Sequence, residues 1–372
     1  MIVFKNLLLI SLFFVAAAQS AAANTFDKYN VTGEAFSFTQ QDQAVFWKGG
    51  VVTLLDRGLS LNRFPPKAKF AEYEVSYMKW TPSYSNGQSI VYMHGFQSHA
   101  GWFYESAEKL AILGYTVYAF DRIGSGRSSR GVSVLPATET MPPEMLRGKG
   151  HINSWQGFTQ TIQLLTKIAQ TEHPENTINL WANSFAANLL TAYLMEYSPT
   201  DIASVVYTSP GFFSKLPLPF PVEELIGAAP GTYFPSTIPE LDGDKGAYLF
   251  TSDPHYSRDI ARDRLSLRTV TKEFYFNVVG VQNFHFEATA VAPQGLTQYK
   301  RFYLVVDGDP MMDTAQTVDY VTQYSENAVL KLYSGGVDHR HFLAFTEDAD
   351  IVIDDIDLFL SGESVPGSEV LP

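Results

Sequence analysis

Within INLWANSFAANLL, residues 178–190, an apolar run breaks at Ala182-Asn183-Ser184 and resumes as an alanine- and leucine-rich stretch that continues through Tyr193. The pattern predicts a buried strand, a tight turn and a helix, with Ser184 on the hinge. A side chain there is held above the sheet edge, so Ser184 is either a turn residue or a nucleophile. A serine hydroxyl attacks a carbonyl only when a base takes its proton, and that base needs an orienting carboxylate. Both residue types follow downstream at the ends of apolar runs. RFYLVVDGDPMMDTAQ carries Asp307, Asp309 and Asp313, and LYSGGVDHRHFLAFTEDAD carries His339 and His341. An aspartate at a strand end is often only a cap, and a loop histidine is often a satisfied structural residue. Three aspartates in seven residues after an apolar strand nevertheless favour one with a role.

The elements that must position these groups are legible as short apolar runs bounded by turn signals: Ile90–His94, Val117–Asp121, Ile178–Ala182, Ser204–Ser209, Phe302–Asp307 and Val329–Ser334. Helical patterns lie between several of them, as at Trp102–Leu113 and Phe158–Thr171. This is the alternation of a parallel sheet covered on both faces, and the α/β class follows. Upstream, Glu72–Trp80 alternates polar and apolar side chains and predicts an antiparallel edge hairpin with the segment around Val51–Leu61.

From Pro210 to about Tyr299 the rhythm changes. The stretch Lys215-Leu-Pro-Leu-Pro-Phe-Pro221 excludes a central strand, and the charged stretch Arg258–Arg268 predicts a helix. Because the alternation resumes at Arg301, residues 210–299 are expected to be a cap or lid insertion. The core then comprises residues 24–209 and 300–372. The insertion is rich in aromatic residues (Phe212, Phe213, Phe220, Tyr233, Phe234, Phe274, Tyr275, Phe276, Phe284 and Phe286) that form either a small core of their own or the wall of an apolar pocket.

The chain has 372 residues, 45% of them hydrophobic, enough to bury a large core. MIVFKNLLLISLFFVAAAQSAAANT places Lys5 before an apolar run from Leu7 to Ala18 and ends in small residues, the pattern of a secretory signal peptide covering residues 1–23 and cut after Ala23. The run is shorter than the roughly 20 residues that span a bilayer. The expectation is an exported protein, periplasmic or secreted, with no integral membrane segment after signal removal. Cysteine is absent, which excludes a disulfide framework and a lipid-anchored cysteine. A formal charge of −13, one unit more negative without Lys5, argues against a nucleic-acid partner and against anionic lipid, and favours small or neutral ligands. HExxH is absent and the only close histidine pair is His339 and His341, so neither a metal nor another cofactor is expected. GSGRSSRG lacks the Gly-Lys-Ser/Thr ending of a phosphate loop and the third glycine of a dinucleotide fingerprint, and reads as a tight turn after a strand.

Together with SIVYMHGFQSHAGWFYESAEKLAILGYTVYAFDRIGSGRSSRG, residues 89–131, these features resemble the α/β-hydrolase superfamily, and within it the monoacylglycerol-lipase and lysophospholipase-like, or serine aminopeptidase-like, hydrolases. The resemblance covers most of residues 70–362 and weakens in the insertion. It implies an α/β-hydrolase fold: a mostly parallel central sheet flanked by helices, with a cap insertion. It implies that the strand ending in His94-Gly95 is followed by an oxyanion-holding N–H at Phe96, with that of Phe185 as its partner, and that Asp121, Gly124, Gly126 and Ser128 are structural. Ser184 falls at the nucleophile elbow, usually Gly-x-Ser-x-Gly, with Ala182 and Ala186 in place of the glycines. The family order Ser, Asp, His then implies Asp309 as the acid, with Asp307 and Asp313 as rivals, and His341 as the base, with His339 as its rival. The implied activity is hydrolysis of a small-molecule or lipid acyl ester. A peptidase of the same fold and a catalytically silent binding protein are the alternatives.

Overall fold

The computed structural model describes residues 35–40, 43–56, 71–128, 150–152, 154–236, 244–263, 265–334, 340–343 and 349–372. Strands β1 (Ala35–Gln40), β2 (Gln43–Asp56) and β3 (Ala71–Pro82) form an antiparallel wing. β3 pairs with β2 over Val51–Asp56 as expected, with Val51 opposite Ser76, while residues 57–61 lie outside the described residues; the pair is not the sheet edge as expected, because β1 adds a further strand beyond β2.

The alternating part then runs β4 (Gln88–Met93), α1 (Tyr104–Ile112), β5 (Thr116–Phe120), α2 (Gln156–Glu172), β6 (Thr177–Asn183), α3 (Ala186–Tyr197) and β7 (Ile202–Thr208). After it come α4 (Val222–Gly227), β8 (Tyr233–Pro235), α5 (Asp244–Phe250), α6 (Pro254–Arg262), β9 (Thr269–Thr271) and α7 (Lys272–Val291). The alternation resumes with β10 (Lys300–Val306), α8 (Thr314–Tyr324), β11 (Val329–Tyr333), α9 (Ala349–Ser361) and β12 (Ser368–Val370). The sheet has ten strands in the order β1-β2-β3-β5-β4-β6-β7-β10-β11-β12, and the six from β5 to β11 are parallel. The mostly parallel sheet flanked by helices is therefore the observed architecture.

Alternation along each strand divides the core in two. Val91 and Met93 join Leu180 and Ala182 on the side covered by α2 and α3, whereas Ile90 and Tyr92 join Trp181 and Val206 on the side covered by α1 and α9. Because both faces are buried, the central strands read as nearly continuous apolar runs.

One expected element is displaced. The helix predicted over Arg258–Arg268 runs instead over Pro254–Arg262. Asp253 caps it by accepting the N–H of His255, and Pro254 occupies its first turn, so it starts early. It stops at Asp263 because that carboxylate is taken up by tertiary partners, as described below. Among the described residues, no helix is long and apolar enough to cross a membrane.

Candidate active site

β6 ends at Asn183, and Ser184 turns the chain with φ 54°, a left-handed conformation that a non-glycine residue adopts only when its surroundings hold it there. The surroundings are specific. The Ser184 N–H donates to the Thr208 carbonyl at 2.9 Å, and its carbonyl accepts from Ala187 and Gly211, each at 2.9 Å. Ala182 and Ala186 flank the turn and are fully buried, which shows why small side chains are needed there.

His341 Nε2 lies 2.7 Å from Ser184 Oγ, and His341 Nδ1 lies 2.8 Å from Asp309 Oδ2. With Asp309 ionised, Nδ1 carries the ring proton and donates to it, leaving Nε2 to accept from the serine hydroxyl. The other Asp309 oxygen accepts the N–H groups of Met311 (2.7 Å) and Met312 (3.0 Å). Burial pushes the Asp309 carboxyl up, but the charge and hydrogen bond of His341, with the two backbone donors, outweigh it and hold the group below the usual carboxylate range. The segment carrying His341 is pinned to α5, since Phe342 N–H donates to the Phe250 carbonyl at 2.9 Å.

The rival aspartates do other work. Asp313 caps α8 by accepting the Gln316 N–H, and Asp307 is exposed. His339 lies outside the described residues.

Phe96 and Phe185 line the same cavity as the serine and meet each other edge to face, with ring centroids 5.5 Å apart. A Cβ built on Gly95 would sit 3.1 Å from the Ser184 Cβ, so the β4 loop passes close against the elbow and a side chain there would have to push it by a few tenths of an ångström. The Phe185 N–H heads α3, where the helix dipole favours negative charge. His94 closes the loop from below: its Nδ1 donates to the Gly95 carbonyl at 2.8 Å and its Nε2 accepts the Arg122 N–H at 2.9 Å. Burial first, then the neighbouring Arg122 charge, keeps this imidazole neutral.

The residues of the turn after β5 each have a structural task. The Asp121 oxygens accept the N–H groups of Ala100 (2.8 Å) and Arg127 (2.6 Å), and Ser128 Oγ donates to the Asp121 carbonyl while accepting the Ser76 N–H. Gly126 has φ 51°, and a Cβ there would lie 2.4 Å from the Asp121 carboxylate.

Ser184, His341, Phe96 and Phe185 open on a cavity of about 240 Å³. Leu216, Leu218, Leu249, Tyr275 and Val278 from the 210–299 stretch form much of its wall. Of the aromatic residues singled out in the sequence, Tyr275 lines this cavity, whereas Phe276 and Phe284 do not. Phe284 stacks on Trp155, and Phe276 lies against Lys272, half in solvent. Most of the cluster is thus local packing, because α7 turns Tyr275, Val278 and Gln282 toward the cavity and those neighbours away.

Sequence reasoning missed the buried pairing of His99 with Asp263. His99 Nε2 is 2.9 Å from Asp263 Oδ2, which also accepts Trp102 Nε1–H at 2.6 Å, tying the β4 loop to the end of α6. It also missed Arg122, whose guanidinium lies beneath Phe96 and Phe185. The clue for Arg122 was an arginine directly after the strand-ending Asp121, inside a stretch otherwise read as turn.

The family model described as serine aminopeptidase, S33, matches residues 85–343. The chain is similar to a monoacylglycerol lipase of Mycolicibacterium smegmatis, 26% identical over 136 residues, which are 37% of this chain and 42% of that protein, so the match spans less than half of the curated relative. Among solved structures it resembles a thermostable carboxyl esterase from Bacillus coagulans (TM-score 0.59, 16% identity, 89% of this chain and 99% of that one). It also resembles the monoacylglycerol lipase of Paleococcus ferrophilus (TM-score 0.59, 16% identity, 78% and 99%) and a soluble variant of monoglyceride lipase from Saccharomyces cerevisiae (TM-score 0.58, 15% identity, 78% and 93%). At these identities the structures establish a shared α/β-hydrolase fold.

Proposed function

Because the chain belongs to the serine aminopeptidase, S33, family of α/β-hydrolases, we propose that it is a serine hydrolase of carboxylic esters, acting on an acyl ester such as a monoacylglycerol or lysophospholipid. The observation that carries the reading is the continuous relay from Asp309 through His341 to Ser184, with contacts of 2.8 and 2.7 Å, opening on an apolar cavity. In the proposed reaction His341 Nε2 takes the Ser184 proton as Oγ bonds the ester carbonyl carbon. The N–H groups of Phe96 and Phe185 hold the resulting oxyanion, each such donor being worth about 10²–10³ in rate. Collapse of the tetrahedral species expels the alkoxide, which takes the proton from His341, and leaves an acyl-enzyme. Water attacks that ester with His341 again as base, releasing the carboxylic acid and restoring Ser184.

The ester reading is favoured over a peptidase because, among the described residues, the cavity lining holds no carboxylate to receive a substrate amine. We read residues 210–299 as a cap over the acyl pocket, and the chain as exported after cleavage at Ala23. A fluorophosphonate probe is expected to label wild-type protein and not Ser184→Ala, and a panel of acyl esters against aminoacyl amides is expected to show turnover of the esters. Labelling of Ser184→Ala, or turnover of amides alone, would overturn the reading. A secreted product that still begins at Met1 would overturn export with cleavage.

A further inference from the structure

The mechanism above makes no use of Arg122, which is 2% exposed and sits in the middle of the machinery. Its Nη2 donates to the Phe96 carbonyl at 2.7 Å and to Ser125 Oγ at 2.8 Å, while its own backbone N–H holds His94. Four rings surround the cation, with centroids 5.1 Å (Phe185), 5.5 Å (Phe158), 5.5 Å (Phe274) and 5.9 Å (Phe96) from the guanidinium carbon. Nε and Nη1 have no hydrogen-bond acceptor among the described residues. The carboxylate of the preceding residue, Asp121, gives its oxygens to the backbone of Ala100 and Arg127 instead.

A buried cation held by ring faces, one carbonyl and one hydroxyl is a poor way to stabilise a core, since a methionine of similar length would fill the space without desolvating a charge. Its placement is what it contributes. Phe96 and Phe185 come from different loops, one after β4 and one at the elbow after β6, and Arg122 comes from a third, after β5. The rings of both face the same guanidinium, and the Phe96 carbonyl is hydrogen-bonded to it.

We propose that Arg122 is a positioning residue for the oxyanion hole, fixing the separation and direction of the Phe96 and Phe185 N–H groups by gripping the Phe96 carbonyl and both rings at once. This rests on the serine-hydrolase reading of the same site. Burial lowers the guanidinium to about 9, while the Asp121 charge opposes that fall, so Arg122 remains a cation at neutral pH. A fixed positive charge beneath the hole also favours the oxyanion over the neutral carbonyl, a differential that acts on the transition state and not on substrate binding.

The test compares Arg122→Met, Arg122→Lys and wild type, each normalised to active sites titrated by the fluorophosphonate. Four quantities are read: kcat and KM for p-nitrophenyl butyrate, the Ki of an alkyl trifluoromethyl ketone whose serine adduct carries an oxyanion, and the Ki of the primary alcohol of the same chain length, which carries no charge. For Arg122→Met, kcat is expected to fall about tenfold to a hundredfold, the cost of a donor misplaced by a fraction of an ångström, with KM little changed. The ketone Ki should rise by the same factor and the alcohol Ki should not move. Arg122→Lys keeps the charge but not the planar stack, and should fall between.

A merely structural arginine would lower the melting temperature and leave all four quantities per active site at wild-type values. That result, or an equal loss of ketone and alcohol affinity, would overturn the proposal. Should Arg122→Met not fold, Phe158→Leu removes one ring of the cage without touching the cavity. It must then weaken kcat and ketone binding together, with alcohol binding constant, or the proposal fails. Absence of ketone binding by wild-type protein would instead remove the serine-hydrolase reading itself, and is seen before any variant is compared.

Discussion

Gly211→Ala is the substitution for which the geometry sets the sharpest expectation. A Cβ at that position would lie 2.7 Å from the Phe185 amide nitrogen and 2.8 Å from the Ser184 carbonyl carbon, where ordinary contact begins at 3.4 Å. Both neighbours are backbone, so no side chain can swing aside. Either the elbow or the strand of chain at Gly211 must move by about 0.7 Å. Neither is loose: Gly211 N–H holds the Ser184 carbonyl at 2.9 Å, Asn188 Nδ2 holds the Gly211 carbonyl at 2.8 Å, and the Ser209 N–H is bonded to Leu304 at 2.8 Å. Oxyanion donors work within about 2.7–3.1 Å of the oxygen, so a shift of that size takes one of them out of range and should cost about 10²–10³ in kcat. Overpacking a close-packed turn should cost about 1–3 kcal/mol of stability as well. Urea unfolding and burst kinetics with p-nitrophenyl butyrate separate the two effects. Gly227→Ala, where a Cβ meets nothing within 4 Å, is the control and should match wild type. A folded Gly211→Ala protein with wild-type kcat would refute the placement of the Phe185 N–H in the hole.

Asp309→Asn keeps an oxygen for the Met311 and Met312 N–H groups but turns an amide donor toward His341 Nδ1; the imidazole then adopts the wrong tautomer, and kcat should fall about 10⁴-fold. Asp307→Asn and Asp313→Asn, measured alongside, should leave kcat near wild type. Val278→Phe narrows the cavity and should move the kcat/KM optimum to shorter acyl chains, each excluded methylene costing about 0.8 kcal/mol, or about fourfold. Phe276→Ala, outside the cavity, should leave the profile of kcat/KM against chain length unchanged. Burial pushes the Asp263 carboxyl up, but His99, Trp102 and the Leu265 N–H outweigh it and hold it below the usual carboxylate range. Its contribution to stability is therefore complete above that range and lost as pH falls through the lowered value. Asp263→Asn should cost roughly 3 kcal/mol in urea unfolding at pH 7, and the gap to wild type should close as the pH is taken below 4; a gap independent of pH would show that the carboxylate charge is not what matters.

The sequence by itself determined what local patterns encode. Apolar runs of strand length separated by helical spacing specified the parallel sheet, because burial on both faces removes polar residues from the strand and the intervening helical patterns supply the crossovers. The small residues around Ser184 were readable for the same reason, since Ala182 and Ala186 are close-approach positions whose size is fixed by backbone geometry. The choice among Asp307, Asp309 and Asp313 was not contained in spacing: three aspartates within seven residues differ only in where the loop turns each of them, one into solvent, one onto a helix end and one onto His341. The aromatic residues of 210–299 were visible as a composition, but their division into packing and cavity wall follows from the rotation of α7 about its own axis, which nothing in the segment sets without the core it lies on. Arg258–Arg268 failed as a helix because Asp263 is drawn to His99 and Trp102, partners some 160 residues away. The cage around Arg122 was the least legible feature of all. It joins loops after three strands that the sheet order places side by side, and a charge buried among four rings leaves no periodicity along the chain, only a contact in space.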